Sequence, residues 1–97
     1  MNTRFTAAAA RELLEALQRY RDEAGAPVAE HFDDSVRQAL MRLARTPELG
    51  SPAAAGLRTW PLRRFPYPLV YRVEATEVVV IAVAHQRRAA GYWVGRG

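Results

Sequence analysis

Cysteine and lysine are both missing from this chain of 97 residues. Without cysteine there are no disulfides and no thiolate metal sites, and a reducing cytoplasm is the natural compartment. Without lysine, all 14 basic residues are arginine. GC-rich codons account for that bias by themselves, yet it has a physical consequence. A guanidinium keeps its charge and offers a planar fork that matches phosphate and carboxylate. Long apolar runs are missing too. The longest, 78–84, has seven residues and is far too short to cross a bilayer as a helix. Arg4, Arg11 and Glu12 follow no apolar stretch, so a signal peptide is not expected. No His or carboxylate spacing suggests a metal site, no glycine-rich phosphate loop is present, and no cofactor is expected.

What is present is ordinary globular material, 49% apolar and 25% charged, enough for one domain over 1–97 with one modest core. The charge is unevenly spread. Residues 1–57 hold seven arginines against eight acids, a net of −1, and residues 58–97 hold seven against two, a net of +5. A basic second half suits an acidic protein or a nucleic-acid surface.

The chain divides by hydrophobic period. Thr3 to Phe5 reads as a short opening strand, and Thr6 as the N-cap of a helix over 7–24. Ala10, Leu13, Leu14, Leu17 and Tyr20 recur at helical spacing on it. Gly25 suits a left-handed C-cap and Pro27 the first turn of a second helix to Arg45, with Val28, Phe32, Val36, Leu40 and Leu43 inside. So short a connection makes the two helices an antiparallel hairpin. Residues 48–56 read as a loop. Leu57 to Phe65 is an edge or bulged strand, because Pro61 has no N–H to donate. Pro68 to Glu74 alternates as a strand, and Glu77 to His85, apolar on both faces, is a central one. The expected fold is α+β: an N-terminal helical hairpin packed on one face of a small antiparallel sheet of three to four strands. The other face is expected to be small, partly polar and open to a ligand.

The last third carries the chemistry. Phe65-Pro66-Tyr67 leads into Leu69-Val70-Tyr71, and the 78–84 run delivers His85, Arg87, Arg88, Tyr92 and Trp93 to one end of the sheet. Arginine, imidazole and aromatic groups together suit something anionic and planar, so nucleic acid or a protein that handles it is the first candidate.

These features resemble the RelE/ParE superfamily of bacterial type II toxins, over nearly the whole length. Many members end in His-x-Arg-Arg-x-Pro-x-Tyr-Trp, and here Ala90 stands at the Pro position. The resemblance implies a cytoplasmic toxin paired with a cognate ParD-like or RelB-like antitoxin, acidic or amphipathic, that binds through a helix and an extended tail. Operator DNA is then met only through the complex, and no membrane is involved. It also implies one of two activities. ParE-like members trap DNA gyrase on cut DNA without catalytic residues of their own. RelE-like members cleave mRNA on the ribosome, using basic residues on the second and third strands, a late Arg and a C-terminal Tyr. Here the third-strand Arg position falls on Pro68, the second-strand Lys pair falls near Thr59 and Pro61, and Arg88 matches the late Arg. Tyr92 comes two residues early. The departures favour the ParE-like activity. The ribonuclease alternative would use His85, Arg88 and Tyr92, and an inactive antitoxin-binding relic is the third reading.

Several residues carry two readings. His85 is a hydrogen-bonded residue at the end of a core strand or a general acid–base group. Arg87 and Arg88 are solvated turn charges or contacts to a partner, together with Arg63, Arg64 and Arg72. Tyr92 and Trp93 seal the core or fill a partner's pocket. Trp60 is a candidate interface anchor, and Tyr67 and Tyr71 read as packing residues. Glu12 and the other helix acids read as a solvated face.

Overall fold

Thr6 starts the first helix by accepting a hydrogen bond at its hydroxyl from the Ala9 N–H at 3.2 Å. The computed structural model describes residues 1–96, so the last position of the expected domain, Gly97, lies outside the described residues. Strand β1 (Asn2–Phe5) leads into α1 (Ala7–Ala24) and α2 (Ala26–Arg45). Gly25 closes one helix and opens the other, with φ 93° and ψ 166°. That conformation is not the left-handed cap expected from sequence but an extended region with positive φ that is essentially reserved for glycine. Its N–H donates to the Arg21 carbonyl while its own carbonyl accepts from the Ala29 N–H.

The helices bury a stripe of mixed size. Ala9 and Ala16 on α1 are buried and let it lie close to the sheet, while Phe32, Val36, Ala39 and Leu43 fill the interior from α2. Leu14, placed in the stripe by its spacing, is 66% exposed instead.

After the helices come β2 (Ser51–Pro52), β3 (Arg58–Trp60), β4 (Leu69–Val73) and β5 (Glu77–Val83). The sheet has five strands in the order β1-β5-β4-β3-β2, not three to four, and it is mixed rather than antiparallel. The first strand pairs parallel with β5, Asn2 opposite Glu77 and Phe5 opposite Val80. An Arg4–Glu77 ion pair at 3.0 Å lies across this edge. The two-residue β2, in the segment read as a loop, adds the fifth strand. Strand β3 stops at Trp60, short of the expected end at Phe65, because Pro61 cannot continue the ladder. Just before β4, the carbonyls of Pro68 and Pro66 accept from the N–H groups of Ala84 and Gln86. Two prolines thus extend the pairing of β5 while offering only acceptors.

The pairing of β4 with β5 skips Ile81: Val70 faces Ala82 and Tyr71 faces Val80. This bulge reverses the side-chain alternation. Val80 and Val83 therefore join the core under the helices, with Leu69 and Tyr67. Val79, Ile81, Ala82 and Ala84 point the other way, onto Leu57, Val70 and Trp93. The second face is thus not the open, partly polar surface expected from the sequence. The turns after His85 fold back across it, and Trp93 is only 8% exposed.

Tyr71, fully buried, ties the sheet to the chain leaving α2. Its hydroxyl accepts from the Gly50 N–H at 2.8 Å and donates to the Pro47 carbonyl at 2.7 Å. Tyr71→Phe leaves both groups without that partner, with an expected loss of about 1–3 kcal/mol. Urea unfolding at unchanged slope measures it. An unchanged midpoint would show that the phenol does not hold this connection.

Candidate functional site

Strand β1 pairs with β5 only as far as Val80, whose carbonyl accepts from the Thr6 N–H. The chain then turns into α1, and the outer edge of β5 loses its neighbour. Glu12, one turn into α1, takes over. Its carboxylate accepts from the Val83 N–H at 3.0 Å, and Arg96 donates to both the Ile81 carbonyl (3.2 Å) and Glu12 (2.9 and 3.2 Å). A side-chain pair thus continues the ladder where backbone is missing, and satisfies the carbonyl of the bulged residue.

The same carboxylate gathers the end of the chain. The Tyr92 hydroxyl donates to Glu12 at 2.6 Å, and the Arg88 guanidinium donates to Glu12 at 3.2 Å. The Arg88 guanidinium lies 3.7 Å from the Tyr92 ring centroid and that of Arg96 5.0 Å from it. The Glu12 side chain is 10% exposed, so it is no part of a solvated helix face. Neither Glu12 nor Arg96 was distinguishable in the sequence. Glu12 looks like any helix acid, and Arg96 follows the motif that draws attention to Arg88.

Protonation follows from these contacts. Burial pushes the Glu12 carboxyl up, but hydrogen bonds from Arg96, Tyr92 and the Val83 N–H, with the Arg96 charge, outweigh it and leave the group below its ordinary range. Burial, the hydrogen bond to Glu12 and its charge push the Tyr92 phenol up to about 12. Tyr92 is therefore a fixed donor near neutral pH.

Beside this network, a cleft of about 270 Å³ opens between α1 and the end of β5, lined in part by Glu15, Arg19, Tyr67, His85 and Arg87. His85 stands edge-on to Tyr67 with centroids 4.9 Å apart, and its Nδ1 accepts from the Arg87 N–H at 2.9 Å. It lies beyond the bulge, on the parity of Val83 and against Tyr67, not on that of Val79 and Ile81 as the unbroken alternation predicts. Partial burial, then the charges of Arg19 and Arg87, hold the imidazole below its usual value. With Nδ1 accepting, the neutral ring carries its proton on Nε2.

Of the other candidate arginines, only Arg87 lies here. Arg72, near the opposite end of β4, is paired with Glu74 at 2.7 Å. Arg63 lines a separate groove beside α2 together with Trp60, which is half-buried and also packs on the core. Arg64 is exposed in the same connection, with φ 70°. Arg87 is exposed at the rim of the first cleft. The sequence-derived set is therefore split. His85, Arg87, Arg88, Tyr92 and Trp93 share one end of the molecule, Arg63 and Trp60 share the α2 groove, and Arg72 stands apart.

Chemically, the three groups that the ribonuclease alternative would use each have a partner here. Arg88 and Tyr92 are engaged with Glu12, and His85 has one ring nitrogen occupied. Among the described residues no group of three His or acidic side chains is arranged to hold a metal. No helix of the structure is long and apolar enough to cross a membrane.

A family model described as the ParE toxin of type II toxin-antitoxin system, parDE, matches residues 3–90. No curated protein sequence matches. Among solved structures, a chain of the chromosomal ParDE TA system from P. aeruginosa superimposes with a TM-score of 0.76 at 23% identity, covering 88% of this chain and 95% of that one. At that identity the likeness is one of fold.

Glu12→Gln keeps the shape of the hub but removes its charge, with an expected loss of about 2–4 kcal/mol near pH 7. A carboxyl held below its ordinary range stabilises fully above that range and loses the contribution as pH falls through the lowered value. The difference between wild type and variant in urea unfolding should therefore hold from neutrality down to the ordinary carboxylate range and shrink as the pH falls below it. A difference that stays constant with pH would mean that the carboxylate charge is not what holds the segment.

Proposed function

The chain belongs to the ParE toxin family of type II toxin-antitoxin systems, and from that membership we propose that it arrests growth by acting on DNA gyrase in the cytoplasm, held inactive by a cognate antitoxin. The observation that supports a non-enzymatic action is the Glu12 hub. Cleavage of mRNA on the ribosome by this chain would need a base for the ribose 2′-hydroxyl, a cation for the phosphate and an acid for the leaving oxygen. Of the candidates for the last two, Tyr92 gives its only hydroxyl proton to Glu12, and Arg88 is drawn to the same carboxylate by one N–H. A phenol with its pKa near 12 and a carboxylate acceptor is poorly placed to give up its proton. A protein that only binds its target has no such requirement.

Induced expression without the antitoxin tests this. Gyrase poisoning produces a DNA-damage response, filamentous cells and cleaved DNA with purified gyrase. mRNA cut within codons, with intact DNA, would overturn the reading, and normal growth would mark the chain as an inactive relic. A variant sharpens the test. A catalytic His85 would lose about 10²–10⁴-fold of its rate on replacement by Gln. Under the gyrase reading, His85→Gln keeps its inhibition within roughly the scatter of the assay, because no proton moves.

A further inference from the structure

Among the described residues, the last backbone hydrogen bond from the closing turns to the rest of the fold runs from the Gln86 N–H to the Pro66 carbonyl. Beyond it the backbone bonds only within 85–96. The N–H groups of Arg88, Tyr92, Val94 and Arg96 donate to the carbonyls of His85, Ala89, Gly91 and Trp93, and the Arg87 N–H goes to the His85 ring. Side chains make the remaining attachment. Arg88, Tyr92 and Arg96 all reach Glu12, and Arg96 also reaches the Ile81 carbonyl. Trp93 is the one buried residue between Gln86 and Arg96.

Beneath these turns lies an apolar surface. Leu57, Val70, Val79, Ile81, Ala82 and Ala84 form with Trp93 a cluster separate from the one under the helices. The strands that carry it do not need the turns for their pairing. β5 is bonded to β1 on one side and to β4 on the other, and α1 and α2 pack on the opposite face. Lifting the turns costs the Glu12 and Ile81 contacts and the burial of one indole. Global unfolding costs the ladder and the helical core as well. A unit with no ladder bonds and few buried groups opens at a lower free energy than the whole molecule. Because its three polar side chains share one acceptor, their contacts are lost together.

We propose that residues 87–96 form a strap that leaves the sheet as one unit while the rest of the fold stays intact, with Glu12 as its latch and Trp93 as its seal. The Gln86–Pro66 bond marks the fixed end. Closed, the strap covers both the edge of β5 and the second face. Open, it bares an apolar face that is hidden in the ground state and releases Arg88 and Arg96 beside it. A ligand of that face binds with an affinity lowered by the fraction of open molecules. The proposal is independent of the gyrase reading and stands or falls without it.

The chain has no cysteine, so one introduced thiol reports opening without background. Ala82→Cys places it under the strap, and Ala16→Cys places it between α1 and the sheet, both at buried positions. Thiol labelling is followed in native buffer and at low urea, with each rate divided by that of the same variant fully unfolded. The Ala82→Cys variant should label at least about tenfold faster than the Ala16→Cys variant, with a much shallower urea dependence, because opening the strap exposes little surface. Tyr92→Phe removes one hydrogen bond to Glu12 and keeps the ring, and adding it should speed labelling of the Ala82→Cys variant about tenfold. Circular dichroism checks that each variant is folded, and Ala84→Cys, on the same face, replaces Ala82→Cys if that substitution disturbs the sheet. Equal rates with the same steep urea dependence at the two positions overturn the proposal, since the face would then open only on global unfolding. A rate that stays within about twofold when Tyr92→Phe is added also overturns it, because Glu12 would not be the latch.

Discussion

Where β1 ends, the outer edge of β5 faces α1 with an N–H at Val83 and a bulged carbonyl at Ile81. Buried strand groups without partners cost about 1–3 kcal/mol each, and no backbone is available to meet them. Glu12 and Arg96 meet them with side chains instead. That repair brings the carboxylate to the sheet, and a carboxylate there needs cations and donors of its own. Arg96, Arg88 and the Tyr92 hydroxyl supply them, so the turns after His85 are held where Trp93 can cover the second face. One unpaired strand edge thus accounts for the position of the whole closing segment.

The bulge at Ile81 makes that arrangement possible. With a regular strand, Val79 and Val83 would share one face. The extra residue sends Val79 and Ile81 toward Trp93 and Val83 toward the helices, so both sides of β5 are apolar and both are covered. A strand buried on two faces reads as a continuous hydrophobic run, which is what 78–84 is.

The basic half of the chain follows the same logic of partners. Arg88 and Arg96 share the Glu12 carboxylate, and Arg72 pairs with Glu74. Arg58 donates to the carbonyls of Glu48 and Gly50, and so serves as a structural clamp. What remains outward in this half, in no ion pair among the described residues, is a smaller set: Arg63 and Arg64 in the 61–68 connection, and Arg87. The surface that a ligand meets is therefore more local than the net charge of +5 over 58–97 suggests.

From the sequence alone came both helices almost to the residue, the antiparallel hairpin at Gly25, the cap at Thr6, the two long strands, and the superfamily through its closing His-x-Arg-Arg and Tyr-Trp residues. All of these depend on neighbours a few positions away, through capping, helical period or strand alternation. The parallel pairing of β1, the bulge, the role of Glu12 and the separation of Arg63 and Arg72 from Arg88 were decided only by the tertiary structure. Glu12 meets partners 71 to 84 residues distant, and no local pattern marks which of ten acids will be the one turned inward. A one-residue bulge leaves no trace in a run of valines, because each of them suits either face.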